Sequence, residues 1–322
     1  MPFELFDLSQ LRIKPLKERI HDLTVEDVMS LDEVVPQFES KNLVDIADRI
    51  VKARENKAPV IMLMGAHVLR KGNANFIIDL MRKKIITHLG MNGAVAIHDY
   101  EMARIGATTE SVSRYISEGQ FGLWKETGEM NDIFSEYLSD KNIGFGEALG
   151  CFISRSNFPY KHISIVGNAY QLNLPLTVHV AFGQDILHEH PNFNGAAVGK
   201  MSYIDFLIFA HSVQSLENGV FLNYGTAVMG PEVFLKALAM ARNVANQKGE
   251  SITRFCTAVF DIRNLPNYPS EELSHYKEEY YFRPYKTVLE RTVKDGGESF
   301  YIKGDHKLTL PNLYKLIIKR IN

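Results

Sequence analysis

Cysteine is scarce. The 322 residues hold two, Cys151 and Cys256, too few and too isolated for a disulfide scaffold or a cysteine metal site. Both are expected to be buried thiols. Charge of one sign is missing as well: 36 Lys and Arg stand against 38 Asp and Glu, a formal net charge of -2. There is no electrostatic footprint for a phosphate backbone or an anionic membrane, so neither is an expected partner. The basic run Arg82-Lys83-Lys84 is short and follows an apolar helix face, as a solvated helix end does. No apolar run is long enough to span a bilayer, including that from Ala58 to Ala66. Near the amino terminus, Glu4 and Asp7 stand where a secretory leader would carry a basic and then an apolar region. The expected compartment is the reducing cytoplasm.

Familiar catalytic signatures are absent too. The dinucleotide fingerprint Gly-x-Gly-x-x-Gly does not follow the first strand, since Gly65 to Gly72 contains only those two glycines. There is no Walker loop, and no Gly-x-Ser-x-Gly elbow to support a serine hydrolase.

What is present fits a globular protein with a large core, 45% hydrophobic and 23% charged. Residues 1–57 read as a polar, helical amino-terminal extension, with Leu43, Val44, Ile46, Ala47, Ile50 and Val51 forming one apolar face. No linker or repeat follows, so residues 58–322 are expected to form one domain. From residue 58 an apolar run, a glycine-containing polar turn and an amphipathic helix recur, the grammar of a parallel sheet covered by helices. The runs are Pro59–Met64, Ile85–Leu89, Leu174–Ala181, Val220–Tyr224, Ile252–Phe260 and Ser299–Ile302. Ser164 is placed to cap a helix that Asn173 ends. Pro231 and Pro311 are placed at helix starts. The Tyr-, Pro- and Glu-rich run from Asn264 to Tyr285 interrupts the pattern as a long excursion, of the kind that serves as a lid or a subunit contact. The fold class is α/β, a doubly wound, mostly parallel, Rossmann-like sheet.

Five of the six predicted strands run into glycine-bearing turns, which gathers glycines and polar residues on the carboxyl edge of the sheet. Ligands bind at that edge in open parallel sheets, because glycine lets backbone amides approach phosphate and helix amino ends favour negative charge. Two polar groups lie there. His98, with Asp99 or Glu101, is suited to proton transfer, although helix capping explains the same residues. Thr108, Thr109 and Glu110 read mainly as the start of the next helix. The stretch His179, Asp185, His188, Glu189, His190 admits a metal-assisted hydrolase, but its spacing matches no strong metal signature, and a hydrogen-bonding or acid/base role for one histidine fits better. Asp185 and Glu232 at neighbouring strand ends are candidates for raised pKa values.

From about Pro59 onward the sequence resembles the deoxyhypusine synthase family. The segment Leu63-Met-Gly-Ala-His-Val-Leu-Arg-Lys-Gly72 falls at that family's first cofactor loop, and Gly90-Met-Asn-Gly-Ala94 at its Thr-Ala-Gly-Gly turn. Asp185 looks like the Asp of its Thr-Asp-Gly turn. Gly225-Thr-Ala227 replaces its triple glycine, and Gly304-Asp305-His-Lys-Leu-Thr-Leu-Pro311 is similar to its closing segment. The resemblance implies a homotetramer binding NAD through Gly65, Ala66, His67, Asn92, Gly93, Asp185, Gly225, Thr226 and Asp305. The family's Ser-Trp-Gly-Lys segment is missing, and Lys286 in Arg283-Pro-Tyr-Lys286 is the nearest candidate for a Schiff-base lysine. Deoxyhypusine synthesis itself is not expected. The combined expectation is a nucleotide-binding enzyme acting on a small polar substrate, with His98, Asp185, His188, Glu232 and Lys286 as candidate catalytic groups. The alternative is a regulatory oligomer that kept the fold without the reaction.

Overall fold

The computed structural model describes residues 3–139, 142–265, 268 and 278–321. Six strands form its frame: β1 Val60–Met64, β2 His88–Asn92, β3 Leu176–His179, β4 Val220–Tyr224, β5 Cys256–Asp261 and β6 Glu298–Lys303. They lie in the order β3-β2-β1-β4-β5-β6, and every neighbouring pair is parallel. The chain winds outward from β1 through β2 to β3, crosses back to β4 on the other side of β1, and winds outward again to β6. Between β1 and β4 the connections leave in opposite directions, the point at which open parallel sheets carry a ligand crevice at their carboxyl ends.

β1 is apolar throughout because both its faces are covered, as central parallel strands require. Val60, Met62 and Met64 enter one core and Ile61 and Leu63 the other. Against the first face pack α1 Lys41–Glu55, α2 Ala66–Arg70, α3 Ala74–Arg82, α4 Gly93–Ile105, α5 Phe145–Arg155 and α6 Ile165–Gln171. The carboxyl half of α7 Gly195–Val213, then α8 Met229–Gln247 and a π-helical turn Pro284–Arg291, cover the second. The last helix, α9 His306–Ile321, returns to the first face. No described helix is long and apolar enough to cross a membrane.

Several boundaries differ from the sequence expectation, each for a local reason. β2 starts at His88 rather than Ile85, so Gly90 lies inside the strand. A Cβ there would overlap the Leu63 side chain, and close approach accounts for the glycine. β5 starts at Cys256 rather than Ile252 because the Glu217 carboxylate accepts the Thr253 and Arg254 amides at 2.7 and 3.0 Å. α8 and α9 begin before their prolines: Pro231 is third in its helix and Pro311 sixth. Ser164 caps α6 as expected, accepting from Gly167 N at 2.8 Å. The amino-terminal stretch is α-helical only over α1. Upstream it holds 3-10 turns at Leu8–Gln10, Leu16–Glu18 and Val25–Asp27, and Leu23–Thr24 pairs antiparallel with Ala107–Thr108. Its amides are spent on the body of the protein, with Lys14 N bonding Leu123 O at 3.1 Å and Ile20 N bonding the Tyr115 hydroxyl at 2.9 Å. Much of the excursion from Asn264 to Tyr285 lies outside the described residues.

The outer edge of β3 is closed by α7. Asp205 Oδ2 accepts from Val178 N at 2.6 Å, while Ser202 Oγ accepts from Val180 N and donates to Val178 O, both at 3.0 Å. An edge so occupied cannot template another strand. Asp205 also accepts from Gly146 N at 3.0 Å, in the first turn of α5, while its Oδ1 is buried without a partner among the described residues. Burial pushes this carboxyl up to about 8. An unfolded aspartate titrates near about 4, so across that window the folded chain keeps a proton that the unfolded chain has lost. Stability then falls as pH rises, by at most about 1.4 kcal/mol per pH unit for one group. Asp205→Asn removes the titration, and urea unfolding between about pH 5 and pH 8 should show a flatter decline than in the parent; an equal slope would place the proton elsewhere.

Candidate functional site

At the crevice, Gly65 N donates to Tyr224 O at 2.9 Å, and a Cβ on Gly65 would overlap the Gly225 carbonyl oxygen. Gly225 has φ +60 and lies under the ring of His306, the first residue of α9. The loops after β1 and β4 and the start of α9 therefore meet with no side chain between the first two. At the start of α2 the Val68 amide donates to Gly65 O at 3.1 Å, and the amides before it lie at the positive end of the helix dipole. Arg70 and Lys71 add cationic side chains beside them, and Lys71 pairs with Asp305 at 2.8 Å. Burial, then the charges of Arg70 and Lys71, hold the His67 imidazole below its ordinary value. The arrangement suits an anion lying close to the main chain.

Beside the crevice, the amino-terminal arm, α2, α4 and the loop after β3 enclose a cavity of about 240 Å³, whose polar lining includes Arg19, Arg70, His98, Glu110, Asp185 and Glu189. β2 positions this wall: Asn92 Oδ1 accepts from Val95 N at 3.2 Å and caps α4. Gly93, the first residue of α4, lies against the Asp185 carboxylate, leaving no room for a Cβ. One turn on, His98 Nδ1 lies 2.8 Å from Thr108 Oγ1, and Thr108 Oγ1 donates to Glu101 Oε2 at 2.7 Å. Glu101 in turn accepts from Arg19 through both oxygens, at 2.9 and 2.8 Å, and from Thr127 Oγ1 at 2.6 Å.

Burial alone would raise the Glu101 carboxyl, but the Arg19 charge with the Arg19 and Thr127 hydrogen bonds outweighs it and holds the group below its ordinary value. Burial takes His98 down to about 4, opposed by Glu101 and reinforced by Arg70 and Arg19, so the imidazole is neutral near pH 7. Asp185 is pushed up to about 6 by burial, and Glu189 to about 6 by burial and the neighbouring Glu110 charge. Glu110 is committed to Gly122 N and Trp124 Nε1, at 3.0 and 2.8 Å. Arg70 Nε is buried with no partner among the described residues. The cavity thus offers a cation, a neutral imidazole and two carboxylates poised to ionise near neutral pH.

Sequence-predicted residues divide into three groups. Gly65, Ala66, His67, Gly225 and Asp305 gather at the crevice; Asn92, Gly93, His98 and Asp185 gather at the cavity. Glu232 and Lys286 stand apart from both. Glu232 pairs with Lys236 and, at 2.8 Å, with Arg283, while the Lys286 ammonium lies 4.5 Å from the Tyr280 ring centroid. Neither lines the cavity. Thr226 is spent on its own loop, its hydroxyl accepting from Gly230 N at 2.9 Å. His188 staples the loop after β3, Nδ1 accepting from Gly183 N and Asp185 N at 3.2 and 3.1 Å. His179 is buried against Phe209 with Nε2 3.1 Å from Thr177 Oγ1, and His190 Nε2 bonds Gly122 O at 2.9 Å. Those histidines face different partners, and among the described residues no group of three or more His, Cys, Asp or Glu is arranged to hold a metal ion. The metal-assisted hydrolase reading thus loses its ligand set. Asp99 turns away to accept from Ser164 Oγ, Ile165 N and Val166 N at the start of α6.

Sequence reading gave no role to Arg19 or Arg70, and it took Thr108 and Glu110 for a helix start. The spacing of His98 and Glu101 on one helix was the available signal; nothing local ties either to Thr108 or Arg19.

No family model matches the chain, and no curated protein matches it in sequence. Solved structures share its fold. AgrE, in a ternary complex with ornithine and NAD+, matches with TM-score 0.50 and 13% identity over 89% of this chain and 35% of that one. A candidate LOR/SDH protein from Methanococcus maripaludis S2 matches with TM-score 0.50 and 12% identity over 91% of this chain and 74% of that one. The fold is doubly wound and Rossmann-like. A candidate deoxyhypusine synthase from Entamoeba histolytica matches over 88% of each chain with TM-score 0.48 and 10% identity. The chain spans about a third of the length of AgrE and of ArgZ, an arginine dihydrolase from the ornithine-ammonia cycle in cyanobacteria.

Within this Rossmann-like frame the Gly65 contact is main chain against main chain, which cannot yield by rotating a side chain. Gly65→Ala should lower unfolding free energy by about 1–3 kcal/mol, the usual cost of overpacking, measured by urea denaturation. Stability equal to the parent would mean that the two loops are not in contact.

Proposed function

We propose that the chain binds NAD or a related nucleotide along the crevice and acts on a small polar molecule in the adjoining cavity. The observation that carries this reading is the side-chain-free approach of Gly65 to Gly225 at the reversal of strand order, which lets a phosphate reach the α2 amides. The residues fit such a group in part. Arg70 and Lys71 supply cationic partners, but one glycine replaces the usual three, and Asn92 is already committed to capping α4. Asp185, against Gly93, is then the carboxylate for a ribose hydroxyl or for the substrate. Bound nicotinamide would supply a hydride donor or acceptor.

A cavity of about 240 Å³ has the volume of roughly eight waters, too small for a dinucleotide and sufficient for a metabolite. Arg70 matches an anionic group, Asp185 and Glu189 an amino group, and His98 the proton that leaves or joins at the reacting carbon. Ornithine in the AgrE complex and arginine as the ArgZ substrate both carry a carboxylate and amino groups, which supports this pairing of charges. The position of Lys286 over Tyr280 favours a reaction without a Schiff base. Assembly as a homo-oligomer in the cytoplasm, with no nucleic acid or membrane partner, belongs to the same proposal.

NADH fluorescence titration of the full chain should show saturable binding; failure with NAD, NADP and FAD alike would refute the cofactor. With L-ornithine as a probe, Arg70→Ala and Asp185→Asn should each weaken binding tenfold or more, about 1.4 kcal/mol. Because Asp185 and Glu189 ionise near about 6, ornithine affinity should rise between about pH 5 and pH 7.5. A pH-independent affinity would remove the carboxylates from the site.

A further inference from the structure

We infer that Arg19, on the amino-terminal arm, is a positioning residue that fixes which nitrogen of His98 carries the proton. This rests on reading His98 as the proton acceptor of the cavity, though the tautomer can be measured without that reading.

Hydrogen-bond valence decides the direction of the chain. The Thr108 hydroxyl has one proton to give. Ionised Glu101 has none, so Thr108 donates to Glu101 Oε2 across 2.7 Å. The Thr108 oxygen is left as an acceptor toward His98 Nδ1, 2.8 Å away, and Nδ1 must carry the ring proton. Nε2 is then the bare nitrogen on a residue that lines the cavity.

The arrangement holds only while Glu101 is ionised. Its side chain and that of Arg19 are each 1% exposed, and a buried carboxylate without a cation takes up a proton instead. If Arg19 is withdrawn, the Glu101 carboxyl gains one proton from solvent and donates it to Thr108 Oγ1. The Thr108 hydroxyl must then turn to His98 Nδ1. His98 stays neutral, but its one proton now resides on Nε2, delivered by exchange with water. The group facing the cavity changes from an acceptor to a donor without any change in the charge of the imidazole.

Arg19 reaches Glu101 from a sequence distance of 82 residues, so its placement depends on how the arm is anchored. Leu16 N donates to Glu126 Oε2 at 2.6 Å, Ile20 N donates to the Tyr115 hydroxyl at 2.9 Å, and the guanidinium lies 5.9 Å from the Trp124 ring centroid. The arm thus closes one wall of the cavity and also sets the chemistry of its base.

The test is the nitrogen-15 spectrum of the imidazole of His98, assigned in the full-length chain near pH 7. In the parent, Nδ1 should be protonated and Nε2 bare. Arg19→Met should transfer the proton to Nε2. Thr108→Val leaves the Arg19 and Glu101 pair in place but cuts the chain, and should abolish the Nδ1-protonated signal, whereas Thr108→Ser should keep it. An Nε2-protonated parent, or an Nδ1-protonated signal that survives Thr108→Val, would overturn the inference. If the tautomers follow this pattern while His98→Gln leaves turnover unchanged, the relay stands and the assignment of His98 as the acting base falls.

Discussion

A side chain at position 65 would collide with the main chain of the loop after β4, and much of the architecture follows from that proximity. Strands β1 and β4 are neighbours in space but are separated in sequence by the whole of β2, β3 and the long α7 crossover. At the parting point their backbones lie so close together that a Cβ on Gly65 has no room. Gly65 meets this demand by having no Cβ, and Gly225 by adopting φ +60 beneath His306. Substituents at either position would push apart the two halves of the sheet at the place where a ligand can reach bare amides.

The neighbouring cavity depends on burial and on where countercharge is supplied. Asp99 and Glu101 are two residues apart on α4, both almost fully buried, yet their carboxyls move in opposite directions. Burial takes Asp99 up to about 6 even with a hydroxyl and two amides donating to it, whereas Arg19 holds Glu101 below its ordinary value. Hydrogen bonds alone do not offset desolvation at Asp99, while a full charge in bidentate contact does so at Glu101. Asp185 and Glu189 have no such cation and are displaced upward. A ligand that brought a positive charge to them would supply what Arg19 supplies to Glu101, which is the basis of the preference proposed for the cavity.

How legible this was in the sequence depended on whether the cause was local. β4 was placed to the residue because Val220–Tyr224 is an apolar run bounded by glycines, and Ser164 because capping is decided within four residues. Gly90 was misplaced into a turn because its reason, the Leu63 side chain, belongs to another strand. Residues 1–40 read as helix from their composition, but their hydrogen bonds go to Tyr115, Leu123 and Glu126, partners that no local pattern displays. Gly65, Asn92, Gly93, His98 and Asp185 were found because a parallel sheet gathers its strand ends. Glu232 followed the same logic and Lys286 came from the family resemblance; neither joined them, since each stands with partners of its own outside the cavity.

The same distinction applies within the site. His98 could be singled out from its position after Asn92-Gly93, but the proton-acceptor role proposed for it depends on which nitrogen is protonated, and the contacts that would decide it come from a threonine ten residues away and, through Glu101, an arginine 79 residues upstream. Such a dependence confers specificity of a kind that a local motif cannot. A base fixed by its own turn would be active in any conformer of the rest of the chain. One fixed by Arg19 holds that tautomer only when the arm has docked, and the residues beside Arg19 dock against Tyr115, Leu123, Trp124 and Glu126. The cavity wall and the lone pair of His98 are therefore formed by one event, so a half-assembled site would bind poorly and would also lack its proton acceptor.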